Sequence, residues 1–294
     1  METPASITGG TAGITVLRYA AFTRDGVGGN PAGVVLDASA LDRAERLALA
    51  AEVGYSETAF VGSTATDGTV PLRFFSPRAE VVFCGHATVA TAVALADRDG
   101  PGTLTFTTLA GPIVVETATA ATGELLATLT SAPTRSQPAS PGQVASTLRA
   151  LRWEAADLDP VYPVHVANAG NDHLVLSVRD RARLAALDYD YPALDALMAT
   201  EGWTTVHLVH AETAVLFHAR DPFPPGGVVE DPATGAAAAA FGGYLRTLGA
   251  LALPARVTVV QGEDMGSPSR LLVDVAADDV RVRVTGTAAR ITVS

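Results

Sequence analysis

Along most of this chain apolar residues come in short runs broken by Gly, Pro, Asn and Asp, the pattern of strands and turns. Two stretches depart from it. Val81 to Leu95, VVFCGHATVATAVAL, reads as the end of a buried strand at Val81 to Phe83, a sharp turn at Cys84, Gly85 and His86, and a helix without charge until Asp97. Val228 to Leu245, VVEDPATGAAAAAFGGYL, repeats the plan, with no charge until Arg246. A helix apolar on all sides is buried all round. Its first turn still presents N–H groups without intrahelical partners at the positive end of the dipole, a pocket for an anion or oxyanion. His86 stands at one such helix start, and Asp231 is read as its counterpart at the other. Two stretches on one plan predict two similar halves with a site between them.

The other elements follow from the same pattern. Thr15 to Thr23 reads as a strand, Gly26 to Gly33 (GVGGNPAG) as a loop, and Val34 to Leu36 as a resumed strand. Leu41 to Val53 has helical periodicity and ends at Gly54, a common C′ residue. Short strands are predicted at Thr58 to Val61, Leu72 to Phe75, Thr103 to Thr108, Ile113 to Ala118 and Leu125 to Thr130. Ala132 to Gln143, APTRSQPASPGQ, is the linker candidate. Beyond it, helices are expected at Gln143 to Leu151 and Leu194 to Ala199. Strands are expected at Val161 to Val166, His173 to Val178, Val206 to His210 and Ala214 to Ala219. Four more, at Ala255 to Gln261, Leu271 to Val275, Val280 to Val284 and Ala289 to Val293, finish the chain.

Composition narrows the classes. At about 150 residues per domain, 294 residues suggest two domains. A net charge of −11 argues against nucleic acid as a partner. No apolar run reaches the roughly 20 residues that span a bilayer, and METPASITGGTAG lacks the basic and apolar regions of a signal peptide. A cytoplasmic protein with no membrane partner is expected. The single cysteine, Cys84, excludes an internal disulfide and a thiolate metal cluster.

Each chemical residue has a plain reading beside a functional one. Asn30, extended because Pro31 follows it, is a turn former or a substrate contact. Glu57 is an exposed strand end or a functional carboxylate. His86 and Asp231 are helix caps or site residues, and their matched placement favours the site. Cys84 and His86, two apart, make a conceivable nucleophilic pair. Residues at that spacing on a sharp turn usually point apart, and a small buried Cys is the commoner outcome. The histidines are scattered without ligand spacing, so no metal is expected. No phosphate loop or dinucleotide fingerprint is present.

The segments GNPAGVVL, GYSETAFV, RFFSPRAEVVFCGHATVATA, EDPATGAAAAAFGGYL and QGEDMGSPS, in this order, resemble the motifs of the phenazine-biosynthesis PhzF-like family. The resemblance covers nearly the whole chain. It implies the diaminopimelate-epimerase-like fold: an α/β chain of two pseudo-symmetric domains, each a curved mixed sheet around a central helix. The expected division is 1–131 with 280–294, carrying Glu57 and His86, and 132–279, carrying Asp231, with the active site in the cleft between them. It further implies a cofactor-independent isomerase. The carboxylate matching Glu57 takes a proton from one carbon of a dihydro-hydroxyanthranilate and returns it to another. Residues matching His86 and Asp231 hold the substrate, with Asn30 and Gly85 beside them. Amides matching Gly235 and Ala236 bind its carboxylate. A homodimer is also implied. This chain reads GAAA where the family usually reads GSAA, and MGSPS where it reads MGRPS, so a Ser hydroxyl contact is missing at Ala236 and Ser267 is a second departure.

The residues narrow the chemistry further. Related racemases and epimerases place a cysteine on each side of the carbon, and this chain has one. A one-base proton shift in a small carboxylated, conjugated metabolite, with Glu57 as the acid and base, is therefore favoured. Two-base racemisation and non-catalytic binding of a small molecule are the alternatives.

Overall fold

The computed structural model describes residues 13–292; the N-terminal segment discussed above, up to residue 12, and Val293 lie outside them. The chain divides into two compact units, one built from the residues up to Thr130 with those from Thr285 onward, the other from Ser131–Val284.

The first unit runs through β1 (Leu17–Ala21), β2 (Asn30–Val35), helix α1 (Arg43–Val53), β3 (Glu57–Val61), β4 (Val70–Phe75), β5 (Glu80–Val81), helix α2 (Gly85–Asp99), β6 (Thr103–Thr108), β7 (Gly111–Thr119) and β8 (Leu125–Thr130). The second continues with β9 (Arg135–Pro138), α3 (Pro141–Leu151), β10 (His165–Asn168), β11 (Asp172–Ser177), α4 (Arg181–Ala185), α5 (Tyr191–Glu201), β12 (Trp203–Ala211), β13 (Leu216–Pro222), β14 (Glu230–Asp231), α6 (Gly235–Thr247), β15 (Ala255–Gln261) and β16 (Ser269–Val275). The last strand, β17 (Val282–Arg290), returns to the first unit.

In the first unit β1–β2, β3–β4 and β6–β7 pair antiparallel, whereas β2–β3 and β4–β6 pair parallel. β7 continues to β8, β8 meets β17, and β17 returns to β1, so the strands close into a ring. α2 packs on β1, β2, β3, β7 and β8. A helix ringed by strands has no wet face, and every residue from His86 to Ala96 is buried. Its small residues let the strands approach closely; Thr88 and Thr91 return their hydroxyls to the carbonyls of Cys84 and Ala87, one turn back.

The second unit repeats this order. β10–β11, β12–β13 and β15–β16 pair antiparallel, and β11–β12 and β13–β15 pair parallel. α6 packs on β9, β10, β11 and β16. A Cβ on Gly242 would come within 2.8 Å of the Val273 side chain, so a strand contact dictates that glycine. Outside, α3 and α5 join β11 and β12 in a second core around Leu151, Leu174, Met198 and Leu208. The mixed sheets and central helices are the diaminopimelate-epimerase-like architecture that the motifs imply.

Several boundaries differ from the sequence reading. The linker candidate is ordered: it contains β9, and Ser140 caps α3 with Gln143 in a reciprocal capping box, with Pro141 at the first helical position. The two final strands are one. Gly286 reads as a break, yet it is a site of close approach, because the Phe22 ring fills the space a Cβ would need. The strand expected at Val81 to Phe83 ends at Val81, and Val82 is 57% exposed. Glu80 at its start pairs with Arg43 and Arg73 before the chain turns into α2.

Candidate active site

Three elements of the first unit bring polar groups to the start of α2. β2 begins at Asn30, inside the segment whose glycines predict a loop. Gly29 before it has φ +84°, and a Cβ there would meet the Ala21 carbonyl at 2.6 Å, so only glycine lets the chain fold back at this point. β2 runs parallel to β3 with Ala32 opposite Glu57, which sets Asn30 and Glu57 at the same end of neighbouring strands. His86 rises from the first turn of α2 towards both.

The His86 imidazole is buried and fully engaged. Asn30 Nδ2 lies 3.1 Å from Nδ1, Glu57 Oε2 lies 3.4 Å from Nε2, and Ser56 Oγ stands 3.5 Å from Nε2. Burial pushes the His86 pKa below its usual value, against the opposite pull of the Glu57 carboxylate. A neutral ring results, with Asn30 donating to Nδ1 and the ring proton on Nε2 facing Glu57. The Glu57 side chain keeps 13% of its surface exposed, enough to reach a ligand while the rest of the cluster is closed in.

Cys84 corrects an expectation. It does not point away from His86: Sγ lies 3.4 Å from Nδ1 and 3.8 Å from Nε2. The residue between them is the first of the helix, and the bend from extended backbone at Cys84 into the helix folds both side chains to one side. Glu57, Cys84 and His86 each offer a ligand-type atom within 4.8 Å of the others, and they are the one such trio among the described residues.

The second unit builds its own polar helix start. Asp231 is buried at the end of β14, and its Oδ2 accepts the Thr234 hydroxyl at 2.6 Å. Gln261, fully buried at the end of β15, donates to the Asp231 carbonyl at 2.7 Å and to Thr234 Oγ1 at 3.0 Å, and it accepts from the Thr234 amide at 3.0 Å. Gln261 thus holds the turn that ends at Gly235. No side chain caps α6, so the amides of Gly235 and Ala236 stand at an uncapped start. The capping readings fail for both residues, since α2 also lacks a side-chain cap bond.

The counterpart of Asp231 is not His86. An offset of 150 residues carries Glu80 onto Glu230 and Gly85 onto Gly235. It places Val81 opposite Asp231 and Ala236 opposite His86. The two helix starts share a backbone and differ in which position carries the polar group.

Across the β13–β14 pair from Asp231, Asp221 belongs to a buried network that alternation along the strands does not assign. His207 Nδ1 is 2.9 Å from Asp221 Oδ2, Thr205 donates to Asp221 Oδ1 at 2.9 Å, and His173 Nδ1 meets Thr205 Oγ1 at 2.8 Å. All four are buried. Thr205 and His207, two apart on β12, share its inward face, and polar residues on an apolar strand's inner face were the available signal. Gln261 was within reach in the same way, as the first residue of QGEDMGSPS.

The fold is a mixed α/β chain of two similar halves, each with a polar helix start. Residues 19–293 match the family model described as phenazine biosynthesis-like protein, and the chain belongs to that family. It is 34% identical over 269 residues to an uncharacterised isomerase of Deinococcus radiodurans, covering 90% of this chain and 87% of that protein. It is 30% identical over 271 residues to the trans-2,3-dihydro-3-hydroxyanthranilate isomerase of Pseudomonas chlororaphis, covering 90% and 93%. The solved structure of the Bacillus anthracis phenazine biosynthesis protein of the PhzF family superposes with a TM-score of 0.85 at 27% identity, covering 95% of this chain and 97% of that one. The protein is an isomerase. Among the described residues no helix is long and apolar enough to cross a membrane.

Proposed function

We propose that this isomerase moves a proton, and with it a double bond, within a small carboxylated conjugated metabolite, with Glu57 as the single general acid and base. The observation that carries the reading is the Glu57–His86 contact of 3.4 Å, with the ring held neutral by burial and oriented by Asn30. A carboxylate beside a neutral N–H donor can take a proton from carbon and give it back, while the imidazole stabilises charge that develops on the substrate. In this reading Asp231 serves the same substrate, and the amides of Gly235, Ala236 and Gly85 receive its negative groups. The uncapped helix starts support that part. Proton transfer of this kind needs no metal or organic cofactor, and we propose that the enzyme works without one, as a homodimer.

The relative from Pseudomonas chlororaphis makes trans-2,3-dihydro-3-hydroxyanthranilate the first substrate to try. Ala236, where the family usually has Ser, favours a related acid with one hydrogen-bonding group fewer. The test is turnover in D2O followed by NMR. One shuttling base places deuterium only at the carbon that receives the proton, and incompletely, because the shielded acid returns part of what it took. Full exchange at the carbon that loses its proton, or inversion at one carbon without a double-bond shift, overturns the reading.

A further inference from the structure

We propose that Glu57, Cys84 and His86 form a site for one thiophilic divalent cation such as Zn2+, and that its occupancy silences the isomerase by taking Glu57 out of play. The inhibitory half rests on the function proposed above; the binding half does not.

Zinc binds thiolate sulfur at about 2.3 Å and imidazole nitrogen or carboxylate oxygen at about 2.0–2.2 Å, so tetrahedral ligand atoms stand about 3.4–3.6 Å apart. His86 Nε2 is 3.4 Å from Glu57 Oε2 and 3.8 Å from Cys84 Sγ, and no pair in the trio exceeds 4.8 Å. Small side-chain rotations close the remainder. Three protein ligands from two rigid elements and one turn leave a fourth position open, and the partly exposed Glu57 gives an entry path. Asn30 completes the set. With its amide reversed, its oxygen accepts from Nδ1–H of a ring ligating through Nε2, the usual support for a metal-bound histidine.

A thiolate with an imidazole selects zinc, cobalt or cadmium over magnesium and calcium. The proton released on binding is that of the thiol, because cysteine ligates as thiolate. Cys84 has no part in the proton shuttle, so the site adds a function to a side chain the proposed reaction does not use.

The test is titration of chelator-treated protein with Co2+, followed by absorbance. Binding at one equivalent with a thiolate-to-cobalt charge-transfer band in the near ultraviolet is expected, with displacement by Zn2+. C84A, checked for folding by circular dichroism, should lose the band, and E57Q should weaken binding about 10–100-fold. No saturable cobalt binding, or binding that C84A leaves intact, overturns the site. A second arm follows turnover during zinc addition. Stoichiometric loss of activity in wild type, with at least tenfold more zinc needed in C84A, supports the inhibitory half. If the cobalt band forms and turnover persists at saturation, the site stands and Glu57 is not the base.

Discussion

Asp221 and Asp231 stand opposite each other across the β13–β14 pair, one carboxylate sealed in the core and the other at a helix start. Asp221 is bonded to His207 and Thr205, so β13 is anchored at the register position that pairs with Asp231. Breaking a buried, hydrogen-bonded pair leaves an uncompensated group, commonly at about 3–5 kcal/mol. Asp221→Ala is expected to lower unfolding stability by that order, read from the urea midpoint. Asp221→Asn, which keeps the shape, should lose less.

Glu57→Gln tests the proposed base. The amide keeps the shape but cannot accept the proton. General acid–base catalysis is worth about 10²–10⁴-fold, and here the transfer is the reaction, so the loss in kcat should reach or pass the upper end with the thermal midpoint nearly unchanged. Cys84→Ala should lose less than about tenfold. If Cys84→Ala abolishes turnover and Glu57→Gln retains it, thiol chemistry replaces the one-carboxylate reading.

Gln261→Leu should loosen the turn that carries Asp231 and Thr234. Removing one partner of several buried hydrogen bonds commonly lowers stability by about 1–3 kcal/mol. If the turn positions a substrate-binding carboxylate, KM for the substrate rises beyond what the stability change accounts for. Gln261→Glu, which restores the acceptor to the Thr234 amide, should recover part of it. An unchanged KM in both variants would leave Gln261 with folding alone.

His173 gives a pH dependence of stability. Burial, with a further contribution from His207, holds its pKa down to about 3 from the usual 6.5. Between those values the unfolded chain binds a proton that the folded one refuses. Its contribution is therefore fully present above about pH 6.5 and is lost by about 1.4 kcal/mol per pH unit as pH falls towards 3. Urea unfolding between pH 7 and pH 5 should show this slope, and His173→Gln should flatten it. An equal slope in the variant assigns the effect elsewhere.

The sequence displayed the two buried helices because an uncharged run of Ala, Val, Thr and Gly offers no polar face to water and is stable only when buried. Gly54 ends α1 at φ +74° as its position implies, since the left-handed C′ conformation favours glycine. Side-chain direction was less legible. Whether Cys84 meets or avoids His86 depends on backbone angles at one bend, and the sequence carries no sign of them. Segment APTRSQPASPGQ misled because proline marks helix starts as well as linkers, and Ser140-Pro141 with Gln143 is a helix start. The network of His173, Thr205, His207 and Asp221 is spread over three strands and uses residue types that surfaces also use; only the topology brings it together.

The ring in the first unit has a consequence for how the protein is made. Its closing strand is β17, Val282–Arg290, whereas its neighbours β1 and β8 leave the ribosome far earlier. The second unit is translated in the interval, with its own repeat of the strand order complete. During synthesis the half that carries Glu57 and His86 must wait, with two strand edges open, until the last turn of the chain arrives. Late pairing across so long a separation is slow, so the half translated first is the last to finish, and ribosome-bound chains should become protease-resistant in reverse order of their residue numbers.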